Sequence, residues 1–244
     1  MKLSKHVKRV IKDENYSTFM EVKGLTHISG VILDVDGTLV DSNDVHAKAW
    51  IEAMADNGYE VAFERVRPLI GMGGDKVLPE TIGVQKESEE GKRISQRRKE
   101  IFKERYLPGL HAFPEAKELL EHMRKRGLKL TVASSADKDE LQPMLNLVGA
   151  ADLIEEETSS KDAKQSKPDP DVIHITLERA GLPSETMLMI GDTAFDIEAA
   201  KKVQVSTIAF RSGGWSDSDL AGAIAIYDGP ADLLKHYDES PLAR

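Results

Sequence analysis

The chain has 244 residues, enough for one large domain or for a core carrying a sizeable insert. Its 42 Asp and Glu against 33 Lys and Arg leave a formal charge of −9, which argues against a general nucleic-acid binder, because phosphate contacts need cations in excess. No apolar run approaches a membrane span, and the lack of cysteine removes disulfides, thiolate nucleophiles and cysteine–zinc sites, so a cytoplasmic setting is expected.

Residues 1–26 read as an N-terminal arm. Leu3, Val7, Val10 and Ile11 are spaced for a short amphipathic helix. The arm lacks the apolar stretch of a secretory signal, and Asp13 and Glu14 count against a transit peptide. "THISGVILDV" (26–35) then reads as a buried strand that runs into two carboxylates, Asp34 and Asp36. Carboxylates this close repel each other and resist leaving water, so their placement calls for a chemical reason.

From 43 to 110 the pattern is helical, with no convincing strand. "NDVHAKAWIEAMADNG" reads as a helix that stops at Gly58. "EEGKRISQRRKEIFKERYL" is a charged helix with Ile94, Ile101 and Phe102 on one face, and Arg97 and Arg98 read as solvated charges. Between them, "LIGMGGDKV" (69–77) is unusual. Gly71, Gly73 and Gly74 can let backbone approach a ligand, and Lys76 can reach an anion; an ordinary interhelix loop is the alternative.

Strands and helices alternate from there on. The expected helices are 114–127, 169–181 and 194–203; the first opens on Pro114 and closes on Gly127, as helices do. The expected strands are 128–134, 186–192, 205–210 and 222–228, with "DLIEE" (152–156) a weaker candidate. Short apolar runs that do not alternate with polar residues suggest strands covered on both faces, hence a parallel sheet and a doubly wound α/β core. Loop "RSGGWS" (211–216) follows a strand, which brings Arg211 and Trp215 into consideration beside the cleft.

In open α/β sheets ligands sit at the carboxyl ends of the strands. That edge would gather Asp34, Asp36, Ser134, Lys167, Asp192 and Asp196. Singly each has an ordinary explanation: a serine after a strand commonly caps a helix, and acids occupy turns. Together they suit a cation. Mg²⁺ takes oxygen ligands in octahedral geometry, and Asp34, Asp192 and a backbone carbonyl near Asp36 can supply them, with Asp196 binding directly or through water.

"DVDGTLVDS", "VASS", "SKPDP" and "GDTAFDIEAA", in that order over residues 27–210, resemble the four signature motifs of the haloacid dehalogenase-like hydrolase superfamily. The helical insert resembles that superfamily's small α-helical cap, as in phosphoglycolate phosphatases and β-phosphoglucomutases. The resemblance implies a Rossmann-like three-layer core (27–42 and 111–244), a cap (43–110) and a site between them. It implies Asp34 as nucleophile, Asp36 as acid and base, Ser134 and Ser135 at the phosphoryl oxygens, Lys167 as charge balance, and Asp34, Asp36, Asp192 and Asp196 around Mg²⁺. His46, Gly73 and Lys76 are candidate substrate contacts, His46 because those mutases carry a histidine at this spacing.

Asp36 favours phosphate esters over halides, since an alkoxide leaving group needs a proton and a halide does not. The expectation is a Mg²⁺-dependent phosphatase of a small phosphorylated metabolite, phosphoglycolate or a sugar phosphate, acting as monomer or homodimer through an aspartyl-phosphate. Two alternatives stand: a phosphomutase, and a catalytically idle binding module on the same fold.

Overall fold

The computed structural model describes residues 27–243; the arm expected over 1–26, with its amphipathic pattern, lies outside the described residues. Six strands form one sheet: β1 (Gly30–Leu33), β2 (Lys129–Ala133), β3 (Glu156–Thr158), β4 (Met187–Gly191), β5 (Ser206–Phe210) and β6 (Ala225–Tyr227). Their order is β3-β2-β1-β4-β5-β6, and every pairing is parallel. The expected parallel α/β core is therefore present.

The β1 side chains divide between two apolar layers. Val31 and Leu33 join the cluster containing α5 (Ala116–Lys125), α6 (Lys138–Val148) and α9 (Pro230–Lys235). Ile32 joins the opposite cluster with α7 (Asp171–Ala180) and α8 (Ala194–Lys202). Both faces of the strand are dry, which accounts for its unbroken apolar run.

Between β1 and β2 lie α1 (Asn43–Ala55), α2 (Phe63–Val66), α3 (Gly74–Ile82) and α4 (Glu89–Ile101). Ser88 caps α4: its Oγ accepts from the Gly91 amide at 3.0 Å and donates to the Gln85 carbonyl at 2.7 Å. Glu89 and Glu90 open the helix while Arg98 and Lys99 close it, in the sense that favours the helix dipole. The chain continues into a single π-helical turn, Phe102–Tyr106, and buries Phe102 completely.

Two expectations need correction. "DLIEE" is not a strand: Ala151–Leu153 forms a 3₁₀ turn, and the edge strand β3 begins at Glu156. Helix α6 has no counterpart among the expected elements; Pro143 lies inside it and breaks the pattern.

Candidate active site

Register carries the functional residues to one edge. Leu33 pairs with Val132 on one side and Ile190 on the other. Asp34, Ser134 and Asp192 follow the ends of three neighbouring strands, β1, β2 and β4. Helix α8 begins just beyond with a capping box: Thr193 Oγ1 accepts from the Asp196 amide at 3.2 Å, and Asp196 Oδ2 accepts from the Thr193 amide at 3.1 Å.

Lys167 is 1% exposed, and its Nζ donates to Asp34 Oδ1 at 2.5 Å and to Asp196 Oδ1 at 2.6 Å. Thr193 Oγ1 also lies 2.7 Å from Asp196 Oδ2, so both oxygens of Asp196 are engaged by its neighbours. Asp192 Oδ2 accepts from Asn43 Nδ2 at 2.8 Å. Thr38 Oγ1 lies 3.2 Å from Asp34 Oδ2 and 3.1 Å from Asp192 Oδ1, with one proton for two carboxylates. Glycine is required around this cluster: a Cβ at Gly37, where φ is +75°, would collide with Asn43 and Asp192, and one at Gly213 would collide with Asp192.

One ammonium faces three buried carboxylates. Burial pushes the Asp34 carboxyl up to about 7, with Lys167 pulling it down and Asp196 and Asp36 adding to the rise. Burial, Asp34 and Asp196 push Asp192 well above the carboxylate range. Ligand oxygens of Asp34, Asp192 and Asp196 lie within 4.8 Å of one another, and the buried Asn43 Oδ1 has no hydrogen-bond partner. Uncompensated negative charge on hard oxygen donors fits a divalent cation.

Asp36 has a different environment. Its Oδ1 accepts from Ser42 Oγ at 2.5 Å and from His46 Nε2 at 2.6 Å. Arg98 Nη2 donates to His46 Nδ1, and Arg98 Nη1 donates to both oxygens of Glu140 at 2.7 and 2.6 Å. A guanidinium has no acceptor, so His46 Nδ1 carries no proton here and the ring hydrogen on Nε2 faces Asp36. The His46 ring stacks on Phe102 with centroids 4.2 Å apart, and the Arg98 guanidinium lies 5.4 Å from the Trp50 ring centre and 5.2 Å from that of Phe102. Burial raises the Asp36 carboxyl, but His46, Ser42 and Arg98 outweigh it and hold it at about 2.

The reading of Arg98 as a solvated charge is thus overturned. It is buried because it shares the inward stripe of α4 with Ile94 and Ile101, where Glu140 supplies its counter-charge. Arg97 does lie on the outside, paired with Asp56. Thr38, Asn43 and Glu140 were missed by sequence reasoning. Thr38 lies inside the first motif and Asn43 follows it directly, which was a usable signal; Glu140 sits on a helix that the pattern did not reveal.

Ser134 is fully buried, and its Oγ accepts from the Ala136 amide at 3.0 Å. Ser135 lines the cleft together with Asp34, Asp36, His46 and Gly73, and its Oγ donates to the Gly71 carbonyl at 3.1 Å. The Gly73 amide donates to Ser166 Oγ at 2.9 Å. Lys76 is outside the cleft lining; it pairs with Asp169 at 2.6 Å and donates to Gln165 at 2.9 Å. Arg211 pairs with Asp217 and Asp228, and Trp215 packs edge-on against Phe195; neither lines the cleft.

A parallel sheet whose carboxyl edge holds a lysine-clamped cluster of buried aspartates is the architecture of an α/β hydrolase, and three of its carboxylates could hold a metal ion. Residues 31–210 match the haloacid dehalogenase-like hydrolase family, and the chain belongs to it. A phosphoglycolate phosphatase of Aquifex aeolicus is 32% identical over 218 residues, 85% of this chain and 96% of that protein. The crystal structure of a hydrolase from Pseudomonas syringae superposes with a TM-score of 0.80 at 31% identity, covering 86% of this chain and 98% of that one. A β-phosphoglucomutase of Clostridium difficile shares the fold, with a TM-score of 0.71 at 19% identity over 86% of this chain and 95% of that one.

Proposed function

We propose that the protein is a Mg²⁺-dependent phosphatase of small phosphomonoesters, phosphoglycolate or a sugar phosphate among them, that works through an aspartyl-phosphate. The observation that carries this reading is the pairing of two unlike carboxylates in one cleft. Asp34 is clamped by Lys167 among other acids, while Asp36, two residues on, is held by a histidine.

Asp34 forms the new bond to phosphorus as the ester P–O bond breaks. Lys167 offsets the repulsion between a carboxylate and a phosphate dianion, which differs by several kcal/mol between water and a protein-like dielectric at ~4 Å. Asp36 Oδ1 is bound by His46 and Ser42, whereas Oδ2 accepts no hydrogen bond from a described residue. In this reading Oδ2, ionised in the free cleft, takes up a proton as the phosphate dianion binds beside it, gives that proton to the leaving oxygen, and then takes one from the water that cleaves the acyl phosphate. Asp34, Asp192 and the backbone at Asp36 would hold Mg²⁺, which would supply charge neutralisation at the phosphoryl oxygens. Asp196 acts through Lys167, since both its oxygens are engaged. Ser135 and the amides after β2 receive the phosphoryl oxygens. A cytoplasmic setting and a monomeric or homodimeric state belong to the same proposal.

The test is phosphate release from a panel of small esters, with Mg²⁺ and with chelator. Metal-dependent release with a preferred ester supports the reading. Isomer formation that requires a sugar bisphosphate would replace it with a mutase, and inactivity throughout would overturn it.

A further inference from the structure

The wall of the cleft opposite the aspartates carries polar groups that no step above uses. Lys86 is half-buried there and has no ion-pair partner among the described residues. Ser95 Oγ and Arg98 Nε are buried without hydrogen-bond partners, and Arg98 is only 9% exposed. Lys99 also lines the wall, paired with Asp137. Its ammonium is held below the usual lysine range, first by burial and then, against the pull of Glu140, by Lys161, Lys86 and Arg98. Cations are crowded here, and the acids beside them are already matched: Glu140 by Arg98, Asp137 by Lys99 and Ser160.

The wall is also held in place. Gly91 brings the first turn of α4 against the 85–86 backbone so closely that a Cβ would collide with Gln85 O and sit 2.8 Å from Lys86 Cα. Ser88 ties the same turn to Gln85. Lys86 therefore leaves from a fixed backbone, and little order has to be imposed when it meets a ligand.

We propose that Lys86, Ser95, Arg98 and Lys99 form a second anion subsite, so that the substrate is a phosphomonoester bearing another anionic group, a carboxylate or a further phosphate. This rests on the phosphatase reading and narrows its substrate class. The transferred phosphoryl lies at Asp34, and the second charge lies against Lys86 and Ser95. A buried donor left unpaired by a neutral substrate penalises that substrate, so the wall selects as well as attracts.

The experiment compares esters of equal chain length: an alkyl phosphate, the matching phosphorylated hydroxy acid and the matching bisphosphate. Each is run with Mg²⁺ on the full-length wild-type chain and on Lys86→Met, Lys86→Arg and Ser95→Ala. The expected result is a wild-type kcat/KM at least about tenfold higher for one anionic ester than for the alkyl ester. Lys86→Met should cut that ratio about tenfold, mainly through KM, while Lys86→Arg keeps most of it. Whichever anionic ester wins distinguishes carboxylate from phosphate. Equal turnover of neutral and anionic esters, or a ratio untouched by Lys86→Met and Ser95→Ala, overturns the subsite and leaves the phosphatase reading standing. No hydrolysis of any ester overturns both.

Discussion

The two walls of the cleft are built on opposite principles. On the sheet edge nearly every polar atom is spoken for: Lys167 grips Asp34 and Asp196, Thr193 grips Asp196, and Asn43 grips Asp192. On the helical wall Lys86, Ser95 Oγ and Arg98 Nε have no partner among the described residues. The first wall is strained by excess negative charge and suits a cation; the second has positive charge and donors to spare and suits an anion. Reactions on phosphorus demand fixed groups, whereas choosing a substrate demands unmet ones.

The sharpest way to break this contrast is at Asp34, the proposed nucleophile. Asp34→Asn should lower turnover by ~10⁴-fold or more. Its melting temperature in chelator should hold or rise, because one of the crowded charges is gone and Lys167 keeps Asp196. A folded variant with wild-type turnover would remove Asp34 from the chemistry.

Next comes Arg98→Met, which leaves Glu140 buried and unpaired and withdraws the donor to His46. Breaking a buried pair in this way costs about 3–5 kcal/mol, measurable as a shift in urea midpoint. Arg98→Lys should recover little, since one ammonium does not reproduce the fork that serves two partners.

The cation comes third. The raised Asp34 and Asp192 carboxyls mean that the folded chain binds more protons than the unfolded chain between about pH 4 and 7. Metal-free stability should therefore fall as pH rises through that window. Mg²⁺ should restore it, by about 2–3 kcal/mol at a hundredfold excess over its dissociation constant. The thermal shift on adding Mg²⁺ should be larger at pH 8 than at pH 5; a shift independent of pH would place the ion elsewhere.

His46→Gln should have a milder effect. Asp36 is depressed to about 2, so its contribution to stability is full above the unfolded carboxyl value and disappears as pH falls through 2. Without His46 that loss should begin about one pH unit higher, as read from acid-unfolding midpoints. Smallest of all, Ser88→Ala should remove about 1 kcal/mol through the lost cap of α4.

Much of this was legible in the sequence, and the reasons are local. The strands show as apolar runs because both sheet faces are covered, and Asp34, Lys167, Asp192 and Asp196 show because each closes a strand or opens the loop beside one. Lys76 lies outside the cleft lining and pairs with Asp169, a contact between positions 93 residues apart that no local pattern reveals. Arg98 was hidden by its own helix: α4 carries so many charges that the one on the Ile94–Ile101 stripe looks like the rest. Its spacing from Ile94 and Ile101 puts it on the inward face, but the acid that lets a charge stay there lies on α6, which Pro143 conceals.

The loop at 69–76, which lines the cleft from Ile70 to Gly74, is pinned to the core. Ser135 holds Gly71, Ser166 Oγ holds the Gly73 amide, and the Ser166 amide holds Asp75 Oδ2 at 3.1 Å. At roughly 1 kcal/mol for each tether, these contacts resist lifting of the loop, and the Lys76 pairing with Asp169 adds to them. The latch thus sets the lip of the cleft before any visitor arrives, so a ligand meets a doorway already cut to shape.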